Sequence, residues 1–236
     1  MSFALLLGFL IGITHAFEAD HLAAIASFSV HKKSLRNTLK QGYSWGFGHT
    51  ATLFLVVVPV YLLNGQITAS TEFMMELLVG LMLVYLGAAL IYRLRRDRVH
   101  LHVHSHSDEL RHFHAHSHKE DTARQKSSTR EHMHESKLSG RPFGIGLVHG
   151  LAGSGALLVY AHDSIDQAWL IIPFVLLFGA GSIIGMTLVS KAISIPLRHA
   201  DTWTMLSFGA LKLAVAAVTV AIGLKLAGTS LYALLT

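Results

Sequence analysis

The sequence predicts an all-α integral membrane protein, with six transmembrane helices in two inverted three-helix repeats joined by a His-rich cytoplasmic loop. Three observations carry that prediction. Of 236 residues, 52% are hydrophobic and only 14% are charged, and the mean hydropathy of +0.48 exceeds that of soluble globular domains. Six apolar runs are each long enough to cross about 30 Å of hydrocarbon. A motif in the first run, "IGITHA" at 11–16, recurs in the fourth as "IGLVHG" at 145–150.

The runs cover 3–29, 41–63, 73–92, 143–161, 168–190 and 203–227. The first has no basic leading region and outlasts the apolar part of a signal peptide, so it reads as mature protein. Glycines interrupt the second, fourth and fifth, and Pro59 and Pro173 lie inside spans. Membranes tolerate this where neighbouring helices or a cavity satisfy the freed backbone groups. The expected organisation is a first three-helix repeat at 1–92, a loop at 93–141 and a second repeat at 142–236. His15 and His149 fall at equivalent positions of the two halves, and Phe47-Gly48 in the second span is matched by Phe178-Gly179 in the fifth. Because three is odd, the second half enters the membrane in the opposite sense, and a substrate site is expected where the repeats meet.

Orientation follows the basic residues. Lys32, Lys33, Arg36 and Lys40 precede the second span, eleven Lys and Arg lie between the third and fourth, and Lys191 and Arg198 follow the fifth. Loops 64–72 and 162–167 carry none. The positive-inside rule then puts both termini outside and the basic loops in the cytoplasm, with the chain in the cytoplasmic (inner) membrane. The outer side offers Glu72, Glu76, His162, Asp163 and Asp166, which can concentrate cations.

The stretch "HAFEADH" sets His15, Glu18, Asp20 and His21 within seven apolar-flanked residues. His15 lies about 18 Å into its helix at 1.5 Å per residue. A single Asp at a helix centre costs about 2.5 kcal/mol or more, and such groups normally mark an ion or proton path. At 100° per residue His15, Glu18 and His21 sweep one face and Asp20 points elsewhere. Either the helix unwinds there or Asp20 has a structural partner, for which Lys212 is a candidate. His49 and His149, both beside glycine, are the other histidines inside spans, and the expected site between the halves binds metal at His15, Glu18 and His21, with Asp20 and His49 assisting and His149 contributing from the second half. Thr14, Thr50 and Ser154 are possible oxygen donors. With no cysteine in the chain, any metal is held by nitrogen and oxygen, a donor set that suits Ni2+, Cu2+ or Zn2+.

"HAFEADH" fits the H-x4-D-H signature of the nickel/cobalt transporter family and resembles its "HAFDADH" form, with Glu18 in place of Asp. "GFGHTAT" at 46–52 and "GLVHGLAGSGAL" at 146–157 resemble later motifs of the wider group, which includes small six-span proteins associated with urease and hydrogenase nickel supply. The resemblance implies that His15, Asp20 and His21 are essential to transport, that Ni2+ or Co2+ is the substrate, and that cytoplasmic nickel chaperones or urease and hydrogenase maturation proteins are partners. Larger members carry an additional helix before this motif, which here lies in the first span.

Residues 93–141 break sharply from the rest. Ten histidines fall there: His100, His102, His104, His106, His112, His114, His116, His118, His132 and His134. This composition builds no hydrophobic core and reads as disordered without ligand. Mostly neutral near pH 7, these imidazoles can capture a transition metal.

Neither H-E-x-x-H nor the phosphate-binding GxxxxGK[ST] occurs, so the chain reads as neither a metallopeptidase of that type nor a P-loop ATPase, and nothing in it points to nucleic acid. The expectation is a non-enzymatic carrier of Ni2+, with Co2+ or Zn2+ as alternatives, importing metal across the lipid bilayer. Export, or a membrane metal chaperone or sensor, is the alternative.

Overall fold

The computed structural model describes residues 2–29, 35–96, 100–104, 112–116, 140–165, 167–199 and 205–236. Eight helices are described: α1 (Ser2–His15), α2 (Ala19–Ser29), α3 (Leu35–Leu62), α4 (Ala69–Arg96), α5 (Gly140–Ala152), α6 (Ser154–Ser164), α7 (Ile171–His199) and α8 (Met205–Leu235). Four helical stretches, lying in α3, α4, α7 with the turn before it, and α8, are long and apolar enough to cross a membrane. The first and fourth apolar runs differ from the straight spans that hydropathy suggests: α1 and α2 meet at 52° and α5 and α6 at 55°, so the total is six only if each bent pair is one span.

The breaks have local causes. At the first, the N–H groups of Phe17 and Glu18 donate to the carbonyls of Thr14 and His15, three residues back. That tightens the last turn and ends the α-helical ladder. At the second, a single residue, Gly153, separates α5 from α6. Pro173 is the third residue of α7, where a missing N–H costs nothing. Asn64 ends α3 in the left-handed region at φ 49°, a conformation asparagine tolerates.

Glycine lets the helices meet backbone to backbone. A Cβ at Gly12 of α1 would strike the Phe178 carbonyl of α7, and one at Gly146 of α5 would strike the Trp45 carbonyl of α3. Gly48 of α3 lies against Phe143 and Leu147 as Gly181 of α7 lies against Phe9 and Ile13. Gly80 and Gly223 interlock α4 with α8. Gly12 and Gly146, which share a place in the recurring motif, thus meet Phe178 and Trp45 respectively. Phe47 is 47% exposed and stacks on Tyr43.

Two apolar clusters flank the middle of the bundle. One gathers Leu53, Val57, Leu157, Phe174 and Phe178; the other gathers Ile25, Trp45, Val79, Leu83 and Met186. Large apolar side chains such as Phe3, Leu55, Tyr85 and Leu188 are more than half exposed. This is the reverse of a soluble surface, and fits contact with lipid.

In the His-rich loop, two strands, β1 (His100–His104) and β2 (His112–His116), pair antiparallel. Outside this short pair the described elements are helical. "HLHVH" and "HFHAH" alternate with period two, the period of a strand. His106, His118, His132 and His134 lie outside the described residues.

The close approaches predict that Gly12→Ala and Gly146→Ala each cost about 1–3 kcal/mol by overpacking. In detergent both should melt below the parent. Gly144→Ala, whose Cβ would meet nothing within 4 Å, should not.

Candidate metal centre

The two helix breaks bring histidines from both halves of the chain together. His15 lies in the last turn of α1 and His149 in the last turn of α5, so two helix C-termini, each with partial negative charge, converge on one region. His21 comes from α2 and His49 from α3. Ring centroids lie 4.5 Å apart for His15 and His21, 5.2 Å for His49 with either, and 4.1 Å for His21 and His149. His21, His49 and His149 are fully buried.

The carboxylates lie against the rings. His15 Nδ1 is 2.6 Å from Glu18 Oε1. Asp20 Oδ1 accepts the backbone N–H of His21 and lies 3.0 Å from its Nδ1. The other oxygen, Oδ2, lies 2.9 Å from His149 Nε2. Asp20 thus finds histidine partners, and the local unwinding and the structural partner that were alternatives in the sequence are both present.

What remains open is nitrogen. Nε2 of His15, Nε2 of His21, both ring nitrogens of His49 and Nδ1 of His149 are buried without a hydrogen-bond partner among the described residues. A buried polar atom left unpaired costs about 1–3 kcal/mol, so several in one place call for a ligand. A carboxylate on one ring nitrogen with the other left open is the arrangement that orients a histidine toward a metal. Two sets have ligand atoms within 4.8 Å of one another: His15, His21 and His49, and separately Asp20, His21 and His149. Each can hold a borderline divalent ion through nitrogen, or nitrogen and oxygen.

A cavity of about 580 Å³ reaches this cluster, touching His15, Glu18, Asp20 and His21, with Glu72 and Glu76 further along its wall. Glu76 accepts a hydrogen bond from Ser230. Of the other polar residues singled out from the sequence, His162 faces elsewhere, with Nδ1 on the Leu158 carbonyl and its ring against Tyr61. Thr14, Thr50 and Ser154 donate to the carbonyls of Ile11, Gly179 and Leu151. Sequence reasoning missed Trp45, whose ring lies 5.3 Å from those of His21 and His149, and Phe178, 5.4 Å from His15. Trp45 carried no polar signal; Phe178 was visible only as half of a Phe-Gly pair. In the hairpin, the register sets His100 opposite His116, His102 opposite His114, and His104 opposite His112.

The family model for NicO, described as a high-affinity nickel-transport protein, matches residues 1–233. The urease accessory protein UreH of Bacillus sp. (strain TB-90) is 32% identical over 200 residues, covering 81% of this chain and 76% of that protein. No solved structure matches. The chain therefore belongs to the NicO family of nickel-transport proteins, a family of membrane metal carriers and not of enzymes.

Proposed function

We propose that this protein takes up Ni2+ into the cytoplasm through the three-histidine position of His15, His21 and His49. The observation that carries the proposal is the convergence of buried, unpartnered imidazole nitrogens at the end of a cavity lined with carboxylates. Glu18 and Asp20 orient the rings, and His149 braces Asp20 from the second half. Co2+ and Zn2+ accept the same donors and are the competitors to be tested.

The direction of transport rests on charge. Seventeen of nineteen Lys and Arg fit one topology in the inner membrane, with both termini outside. On that topology, Glu72 and Glu76 belong to the outer side and the His-rich segment to the cytoplasm. A dication entering at about −100 mV gains about 4.6 kcal/mol, enough for more than a thousandfold accumulation without ATP. The matching contacts of Gly12 with Gly146 and of Gly48 with Gly181 support two inverted halves, 1–92 and 142–236, with the ion between them. The His-rich segment 93–141 then receives the arriving metal. The name of the UreH relative makes urease maturation proteins and nickel chaperones the first partners to try.

The test is 63Ni2+ flux into proteoliposomes of known orientation under an inside-negative potential. The wild type should accumulate nickel, and His15→Ala with His21→Ala should fall to background while remaining monodisperse. Accumulation only under the opposite potential would make the protein an exporter, and unchanged flux in the double variant would remove these residues from the path. Glu18→Ala, which frees the His15 ring, should raise the half-saturating nickel concentration about 10–100-fold, with Glu18→Gln between it and wild type. Deleting residues 100–134 should reduce nickel retained by the purified protein more than it lowers maximal flux or melting temperature.

A further inference from the structure

We propose a second metal position, formed by Asp20, His21 and His149, to which the ion passes from the three-histidine position with His21 as the shared ligand. The inference rests on the transport reading above and assigns His149 a role beyond bracing Asp20.

Geometry separates the two positions. Donors on one transition-metal ion sit at most about 4.2 Å apart, twice a metal–nitrogen bond of about 2.1 Å. One ligand atom from each of His15, His21 and His49, or from each of Asp20, His21 and His149, lies within 4.8 Å of its set, so small ring rotations bring either set onto an ion. His49 and His149, by contrast, have ring centroids 6.0 Å apart, each nearer to His21 than to the other. His21 is the common member and stands between them.

The first cavity reaches a ligand of each position, and the order comes from the second cavity. The first cavity touches His15, Asp20 and His21 but neither His49 nor His149. A second cavity of about 590 Å³ is lined by Gln41, Arg93, Arg141, Ile145 and Val148. Val148, the residue before His149 in the sequence, is among its lining residues. Trp45 is fully buried, lines neither cavity, and has its ring 5.3 Å from both His21 and His149. It stands one helical turn on α3 from Gln41, which lines the second cavity. The path runs from an acidic cavity, through an all-nitrogen position and then a mixed one, past Trp45 to a basic cavity.

The chemistry of His149 suits a receiving ligand. Its Nε2 meets Asp20, while Nδ1 is buried and open. With its proton on Nε2, which donates to Asp20, the ring keeps the Nδ1 lone pair free, so an arriving ion can be taken without charging the imidazole. Two adjoining positions also keep the ion from settling in a single deep well, since conduction needs binding weak enough to leave. The Arg93 and Arg141 lining then offers the dication nothing to hold it.

The test is the concentration dependence of 63Ni2+ flux in oriented proteoliposomes, with nickel added on the Glu72 side, for His149→Ala and His149→Gln. Glutamine keeps a donor for Asp20 and lacks the imidazole. The expected result is a loss of maximal flux of tenfold or more in both variants, with half-saturation within about threefold of wild type. His49→Ala should instead raise half-saturation. Recovery of wild-type flux in His149→Gln would overturn the proposal in favour of a bracing role, and a rise in half-saturation matching that of His49→Ala would reduce the two positions to one. If His149→Ala fails to fold, His149→Gln decides alone. Wild-type protein without nickel flux would defeat the transport reading itself, a result distinguishable from all of these.

Discussion

Asp20 bonds two histidines at once, His21 beside it in sequence and His149 from the far half of the chain. The centre depends on this pairing. A carboxylate at the middle of a membrane helix is expensive unless polar groups surround it, and here both oxygens are engaged. The same bonds tie α2 to α5, aim the open nitrogen of His21 and draw the two helix breaks together.

Around that pairing the fold is organised by the lack of side chains. Gly12, Gly48, Gly146 and Gly181 bring backbones into contact, which lets four short-stemmed imidazole rings reach a common point. Larger residues would hold the helices apart and leave the rings too far from one another to share an ion. Trp45 of one apolar cluster and Phe178 of the other lie against the rings.

Much of this was legible in the sequence. Hydropathy located the apolar runs, "HAFEADH" marked the polar heart of the first, and the family resemblance, now matched by the family model over 1–233, pointed to nickel. The breaks were harder to see. A hydropathy window counts apolar residues and is blind to a turn closed by three-residue hydrogen bonds, so the first and fourth runs read as straight spans. Glu18 shares a helical face with His15 and His21 only while the helix is regular; with the helix ending at His15, its carboxylate lies on the His15 ring. His49 and His149 were expected at the site from their glycine neighbours and, for His149, from the repeated motif, whereas the distances between their rings depend on how α3 and α5 cross. The His-rich segment was read mainly by composition, and its alternating histidines fit an extended strand as well as a coil.

The open nitrogens also bear on which ions the cluster refuses. Mg2+ and Ca2+ are hard cations that take oxygen ligands, and Mg2+ sheds its water reluctantly. Both are free to gather at Glu72 and Glu76, yet the ring of His15, His21 and His49 offers them nothing they prefer. On the proposed path the acidic cavity acts as an indiscriminate antechamber, and selection against the common alkaline-earth ions is made one step deeper, by the softness of the donors and not by the size of the opening.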